Sequence, residues 1–168
     1  MNVVTITLGS LAATTSLGAA IGSSLRPGDR VLLAGDLGSG KTTLARAIGT
    51  ALHAEPELTS PTFILISEHS GDLPIWHVDA YRLPVGSDAL RAGVLDERQQ
   101  HGVTLIEWPE HLVGLGEAGA DVLSIHLETA TDGGTRTAEI RGARPELLAA
   151  LSAASGSTGQ ITMGDAHE

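Results

Sequence analysis

One run of eight residues constrains this chain more than any other. Gly35-Asp36-Leu37-Gly38-Ser39-Gly40-Lys41-Thr42 matches G-x-x-x-x-G-K-S/T at every fixed position. The spacing has a physical meaning. Glycines let the backbone take positive φ and curl round an anion. Turned N–H groups then form an anion nest, and the helix that follows adds its own N-terminal N–H groups and positive dipole end. Lys41 is placed to reach the β- and γ-phosphates of a nucleotide, and the Thr42 hydroxyl to ligate Mg²⁺, which prefers hard oxygen donors. The flanks agree: an apolar run, Arg30 to Ala34, precedes the loop, and Lys41 to Leu52 has helical spacing. Lys41 is also the only lysine of the chain. Asp36, Leu37, Gly38, Ser39, Gly40, Lys41, Thr42 and the adjacent Thr43 are therefore the expected nucleotide-binding residues.

A loop of this kind needs a carboxylate near Thr42 to hold Mg²⁺ or orient water. Two stand at the ends of apolar strand patterns. Asp79 follows Ile75-Trp76-His77-Val78, and Glu107 follows Val103-Thr104-Leu105-Ile106. In a parallel sheet both would lie at the carboxyl edge, where ligands bind. By pattern alone each serves equally well as a solvated strand-end carboxylate. Thr62, after Pro61, has the place of a γ-phosphate-sensing switch residue or of an ordinary turn threonine. The four aromatic residues, Phe63, Trp76, Tyr81 and Trp108, all fall within one central stretch. Phe63 and Trp76 read as core, whereas Tyr81 and Trp108 flank the two acids. The seven histidines show no metal-binding spacing such as H-E-x-x-H. A guanine-reading N-K-x-D motif would need a second lysine, so the expected nucleotide is ATP. No arginine finger is evident within the chain.

Around this centre the chain alternates strands with helices. Asn2 to Leu8 reads as a strand and Leu11 to Leu25 as a helix. Thr62 to Glu68, Leu73 to Val78 and Val103 to Ile106 read as strands, and Ser87 to His101 as partly helical. Asp121 to Glu128 and Thr135 to Arg141 alternate about Asp132-Gly133-Gly134, a hairpin signal. Pro145 to Ala154 reads as a short helix with proline at its start. The expected fold is α/β: a P-loop, mainly parallel sheet with helices on both faces and a C-terminal antiparallel hairpin. Residues 1–154 are expected to form one domain, and 155–168 a loose tail with little to bury.

The formal net charge is −10, from ten basic and twenty acidic residues. Phosphate neutralisation supplies most nucleic-acid affinity, so autonomous tRNA or DNA binding is not expected. No apolar run approaches the ~20 residues of a membrane span. Met1 to Leu11 has no basic residue and is no secretory signal. Cysteine is absent. The expected location is the cytoplasm.

Four segments together resemble one family. They are Gly35 to Thr43, Ser60-Pro61-Thr62-Phe63, His77-Val78-Asp79-Ala80-Tyr81-Arg82-Leu83, and Leu105-Ile106-Glu107-Trp108-Pro109-Glu110. In this order and spacing they are similar to the TsaE (YjeE) family, the ATPase of bacterial threonylcarbamoyladenosine tRNA modification. The resemblance covers roughly residues 10 to 142. It implies that Thr42 and Glu107 are Mg²⁺ ligands and that Asp79 assists at the metal or positions the attacking water. It also implies that Thr62 belongs to a switch-like loop and that Trp108 lies beside the nucleotide. Lys41, Asp79 and Glu107 would then carry the chemistry. The implied partners are TsaB and TsaD, with tRNA met only through the complex, and members alone are weak ATPases. The chain departs from the family between Pro84 and Gly93, where Asp88 is the only acid, and at Ala80. Two other readings use the same loop. One is a small-molecule kinase drawing on Arg82, Arg91 or Arg98. The other is a nucleotide-gated assembly factor in which hydrolysis is not essential.

Overall fold

The computed structural model describes residues 2–60, 64–119, 121–131, 133–158 and 161–165. Strand β1 (Asn2–Leu8) leads into helix α1 (Leu11–Ser24). Ser10 caps α1, its Oγ accepting from the Ala13 N–H at 3.1 Å. Strand β2 (Arg30–Gly35) runs through the glycine-rich loop into α2 (Lys41–Ala51). Then come β3 (Ile66–His69), β4 (Ile75–Asp79), β5 (Ser87–Asp88), β6 (Val103–Glu107) and β7 (Leu112–Val113). The chain closes with β8 (Val122–Thr129), β9 (Arg136–Arg141), α3 (Pro145–Thr158) and β10 (Ile161–Asp165).

The main sheet has the order β10-β1-β9-β8-β2-β6-β4-β3. Its centre, β8-β2-β6-β4, is parallel, and the pairings outside it are antiparallel. Five of the eight strands (β1, β2, β4, β6, β8) therefore point one way. The hairpin expected about Gly133 is β8-β9, with Ser124 opposite Arg141 and Thr129 opposite Arg136.

Alternation along the strands sends two sets of side chains to two different coverings. Val31, Leu33, Val103 and Leu105 face α1, α2 and α3 and share one core with Leu17, Leu44 and Ile48. Leu32, Val78 and Ile106 face the other way, against Val94, Leu112 and Leu115. The helices expected on both faces are thus unevenly divided. The α-helices take one face. The other is covered by loops and two 3₁₀ helices, Glu97–His101 and Pro109–His111. Residues 87–101 are helical only in part: polar side chains close a turn and cap the 3₁₀ helix Glu97–His101. The Asp88 carboxylate accepts from the Arg91 N–H and the Asp96 carboxylate from the Arg98 N–H.

Helices α1 and α2 approach closely enough to require glycine. A Cβ at Gly18 would strike the Ala47 methyl, and one at Gly22 would lie 2.7 Å from the Ala51 methyl. This packing fixes the direction of α2 and hence the aim of the loop at its start.

Two boundaries differ from the sequence expectation. Strand β3 begins at Ile66, whereas the pattern pointed to Thr62; Thr62 itself lies outside the described residues. Beyond Ala154, where a loose tail was expected, α3 continues to Thr158 and β10 lies antiparallel along β1 from Ile161 to Asp165. An edge strand is held by backbone pairing, so it needs no apolar pattern of its own. Among the described residues no helix is long and apolar enough to cross a membrane.

Candidate functional site

The loop leaves β2 at Gly35 and enters α2 at Lys41. Gly40 stands at the helix N-cap with φ 104°, and Gly38 has φ 78°, angles that disfavour any side chain. Among the described residues no side chain caps α2, which leaves its first N–H groups available to an anion. A Cβ on Gly38 would meet nothing within 4 Å, consistent with open space over the loop. A Cβ on Gly35 would strike the Leu127 carbonyl oxygen, which locks the loop base against β8.

Lys41 is 5% exposed. Its Nζ donates to the carbonyls of Gly35 at 2.6 Å and Asp36 at 2.8 Å, and lies 3.9 Å from the centre of the Trp108 ring. Burial pushes its pKa below the ordinary lysine value, while the carboxylates of Glu107, Glu110, Asp36 and Asp79 pull the other way.

The two expected acids meet at the carboxyl edge of the sheet. Parallel pairing of β4 with β6 sets Asp79 directly beside Glu107. Glu107 is 2% exposed, and a carboxylate so deep needs partners. The Thr42 hydroxyl donates to it, 2.8 Å from Oε2 and 3.1 Å from Oε1. His77 Nε2 lies 2.8 Å from Oε1. Asp79 is less enclosed, and its Oδ1 accepts from the Tyr81 N–H at 3.0 Å, which turns the chain after β4.

Trp108 follows Glu107 with φ 59°, in the left-handed region, and its N–H donates to the Leu33 carbonyl. That turn swings the indole over Lys41 and against Tyr81, with ring centres 4.8 Å apart. His111 joins the group, its ring 6.0 Å from that of Trp108.

These residues surround a cavity of about 590 Å³. Of the expected site residues, Leu37, Gly38, Gly40, Lys41, Thr42, Thr43, Asp79, Glu107 and Trp108 line it together. Asp36 stands on the outer shoulder of the loop with its side chain exposed. Ser39 is buried beneath the loop, its Oγ without a hydrogen-bond partner among the described residues. Thr62 belongs to the undescribed segment.

Two residues that sequence reasoning passed over also belong here. His77 opens one of the four family-like segments but was given no role there; its alternation with Asp79 places both on one face of β4. Arg136 opens β9 and lines the same cavity. Its Cδ and Nε are 3.5 Å from where a Gly40 Cβ would stand, and its Nε has no hydrogen-bond partner among the described residues. Nothing near it in sequence points to the loop; the β8-β9 hairpin delivers it there. On the far flank of Gly40, Arg136 also borders a smaller cavity of about 150 Å³ with Leu8, Leu11, Thr14, Thr43 and Leu127.

A glycine-rich loop between a central parallel strand and a helix, with an acid on the neighbouring strand end bonded to the helix threonine, defines a P-loop fold. The family described as "Threonylcarbamoyl adenosine biosynthesis protein TsaE" matches residues 8–138. A TsaE of Streptomyces coelicolor is 41% identical over 117 residues, covering 68% of this chain and 78% of that one. A TsaE of Nostoc is 38% identical over 131 residues, 76% of this chain and 78% of its own. The TsaE of Mycobacterium tuberculosis is 38% identical over 144 residues, 80% and 84% respectively. This chain belongs to the TsaE family, whose role lies in tRNA threonylcarbamoyladenosine biosynthesis. The crystal structure of the Bacillus protein YdiB shares the fold, with a TM-score of 0.64 at 24% identity over 93% of this chain and 97% of YdiB.

Proposed function

We propose that this chain is a Mg²⁺-dependent ATPase that converts ATP and water to ADP and phosphate and so sustains threonylcarbamoyladenosine modification of tRNA. The observation that carries this reading is the hydrogen bond from Thr42 to Glu107 at the mouth of the glycine-rich loop.

The donor set suits the ion. Thr42 and Glu107, with Asp79 beside them, offer hard oxygens on one wall of the cavity. Among the described residues there is no cluster of three or more acidic, histidine or cysteine ligands, the mark of an all-protein cage. Mg²⁺ beside a P-loop is held instead by one or two protein oxygens, phosphate oxygens and water. When bound, it would neutralise charge on the transferring phosphoryl group. Thr42 and Glu107 are its ligands in this reading, with Asp79 near it or orienting the attacking water. Lys41 and the loop N–H groups stabilise phosphate charge. Arg136 supplies a second cation beside Gly40, and the flanking cavity bordered by Leu8, Leu11 and Leu127 gives the base an apolar bed. Trp108 covers Lys41 and keeps it dry. Asp36, Leu37, Ser39 and Thr43 complete the cradle, and Thr62 serves as the switch residue.

The proposed partners are TsaB- and TsaD-like proteins in the cytoplasm. A net charge of −10 fits a protein that meets tRNA only through such a complex, and neither DNA nor membrane is a partner in this reading. Threonylcarbamoyl transfer to tRNA should be followed over many turnovers with TsaB, TsaD and a carbamoyl-adenylate source. Sustained turnover with the intact chain, and none with Lys41→Ala or without added chain, is expected. Equal turnover in all three would remove the proposal.

A further inference from the structure

Among the described residues His77 is the one buried imidazole bonded to the acid edge, and the chemistry above leaves it without a task. It is fully buried on β4, two residues before Asp79. Its Nε2 lies 2.8 Å from Glu107 Oε1, and its Nδ1 has no hydrogen-bond partner among the described residues. A carboxylate only accepts, so this contact places a proton on Nε2. A merely space-filling role would be better served by an apolar side chain, because an unpaired buried ring nitrogen is costly. The ring is retained where its one bond reaches a charged oxygen.

The geometry of Glu107 shows what that bond achieves. His77 engages Oε1, while the shorter of the two Thr42 contacts is to Oε2. A carboxylate held only by Thr42 could rotate about its last bond. With the imidazole on Oε1, the rotation is fixed and Oε2 stays toward Thr42 and the cavity.

We propose that His77 is a positioning residue that orients Glu107 so that Oε2 and the Thr42 hydroxyl face a divalent cation together. This rests on the reading of Thr42 and Glu107 as Mg²⁺ ligands. Hydrogen-bond partners of ligating groups commonly carry a large share of metal affinity.

The test is calorimetric titration of the full chain with ADP over a series of Mg²⁺ concentrations and in EDTA. For His77→Leu, the Mg²⁺ needed for half-maximal enhancement of ADP affinity should rise about 10- to 100-fold. His77→Gln, whose amide can donate from near the Nε2 position, should restore most of it. An unchanged Mg²⁺ requirement in folded His77→Leu, or equal impairment in both variants, overturns the proposal. Glu107→Gln separates the two levels. If it leaves the Mg²⁺ requirement intact, the metal-ligand reading fails. If it raises the requirement while His77→Leu does not, only the role of His77 fails. Should His77→Leu not fold, the imidazole ¹⁵N spectrum of the intact protein decides. A proton on Nε2 is expected, and a proton on Nδ1 instead overturns the proposal.

Discussion

Asp79 and Glu107 stand side by side at the ends of adjacent parallel strands, yet they are held in opposite ways. Glu107 is buried and fixed on both oxygens by Thr42 and His77. Asp79 is half-buried and engages the backbone of the turn through Oδ1. A fixed carboxylate suits an ion that demands strict geometry, and a more open one suits water. The division of roles proposed for the two acids rests on this difference.

Glu107→Gln keeps the shape of the side chain and removes its charge. Steady-state hydrolysis at low Mg²⁺ should fall about 10- to 100-fold, with partial recovery as Mg²⁺ is raised. An equal loss at every Mg²⁺ concentration would argue against a ligand role.

Arg136→Ala removes a cation beside Gly40. A hydrogen bond to a charged group contributes about 1.5–3 kcal/mol, which corresponds to roughly 10- to 100-fold in ADP affinity. Arg136→Lys should recover part of it, because the charge survives and the fork geometry does not. Wild-type affinity in Arg136→Ala would show that the residue only packs against the loop.

Gly18→Ala sets two effects against each other. Alanine favours a helix over glycine by about 1 kcal/mol. Its methyl, however, would strike Ala47, including the backbone, and overpacking costs about 1–3 kcal/mol. The clash should win, and urea denaturation should show a net loss of stability. A variant as stable as the parent would mean that α1 and α2 separate easily.

Asp96 caps the 3₁₀ helix Glu97–His101, and its hydrogen bonds with Arg98 hold its carboxyl below the usual carboxylate pKa. A depressed carboxyl contributes stability that is present above its unfolded pKa and lost as pH falls through the folded one. Asp96→Asn should therefore flatten the acid limb of the stability–pH curve slightly, and the effect is small because the pair is exposed. An unchanged limb would assign the cap no net contribution.

Much of the site was legible because it is local. The glycine-rich loop, its strand and its helix are contiguous, and loop geometry is written in glycines and one lysine. Asp79 and Glu107 were legible as strand ends, but their closeness is a product of register. The bond from Thr42 to Glu107 spans 65 positions and exists only because β2 and β6 are neighbours. His77 and Arg136 were illegible for the same reason: a buried ring reads as core, and a strand arginine reads as surface. In the fold, β10 escaped because backbone pairing leaves no apolar signature. The segment 87–101 reads as partly helical and is so: Asp88 closes a turn, and Asp96 caps the 3₁₀ helix Glu97–His101.

A hydrolytic edge formed by Thr42, Glu107 and Asp79 should show itself in phosphate release from ATP. The intact chain and Asp79→Ala should be compared with TsaB and TsaD present, alongside ADP affinity measured separately. Loss of partner-stimulated hydrolysis in Asp79→Ala, with much of the nucleotide binding retained, is the expected result. Full hydrolysis by that variant would rule out Asp79 as part of a hydrolytic edge.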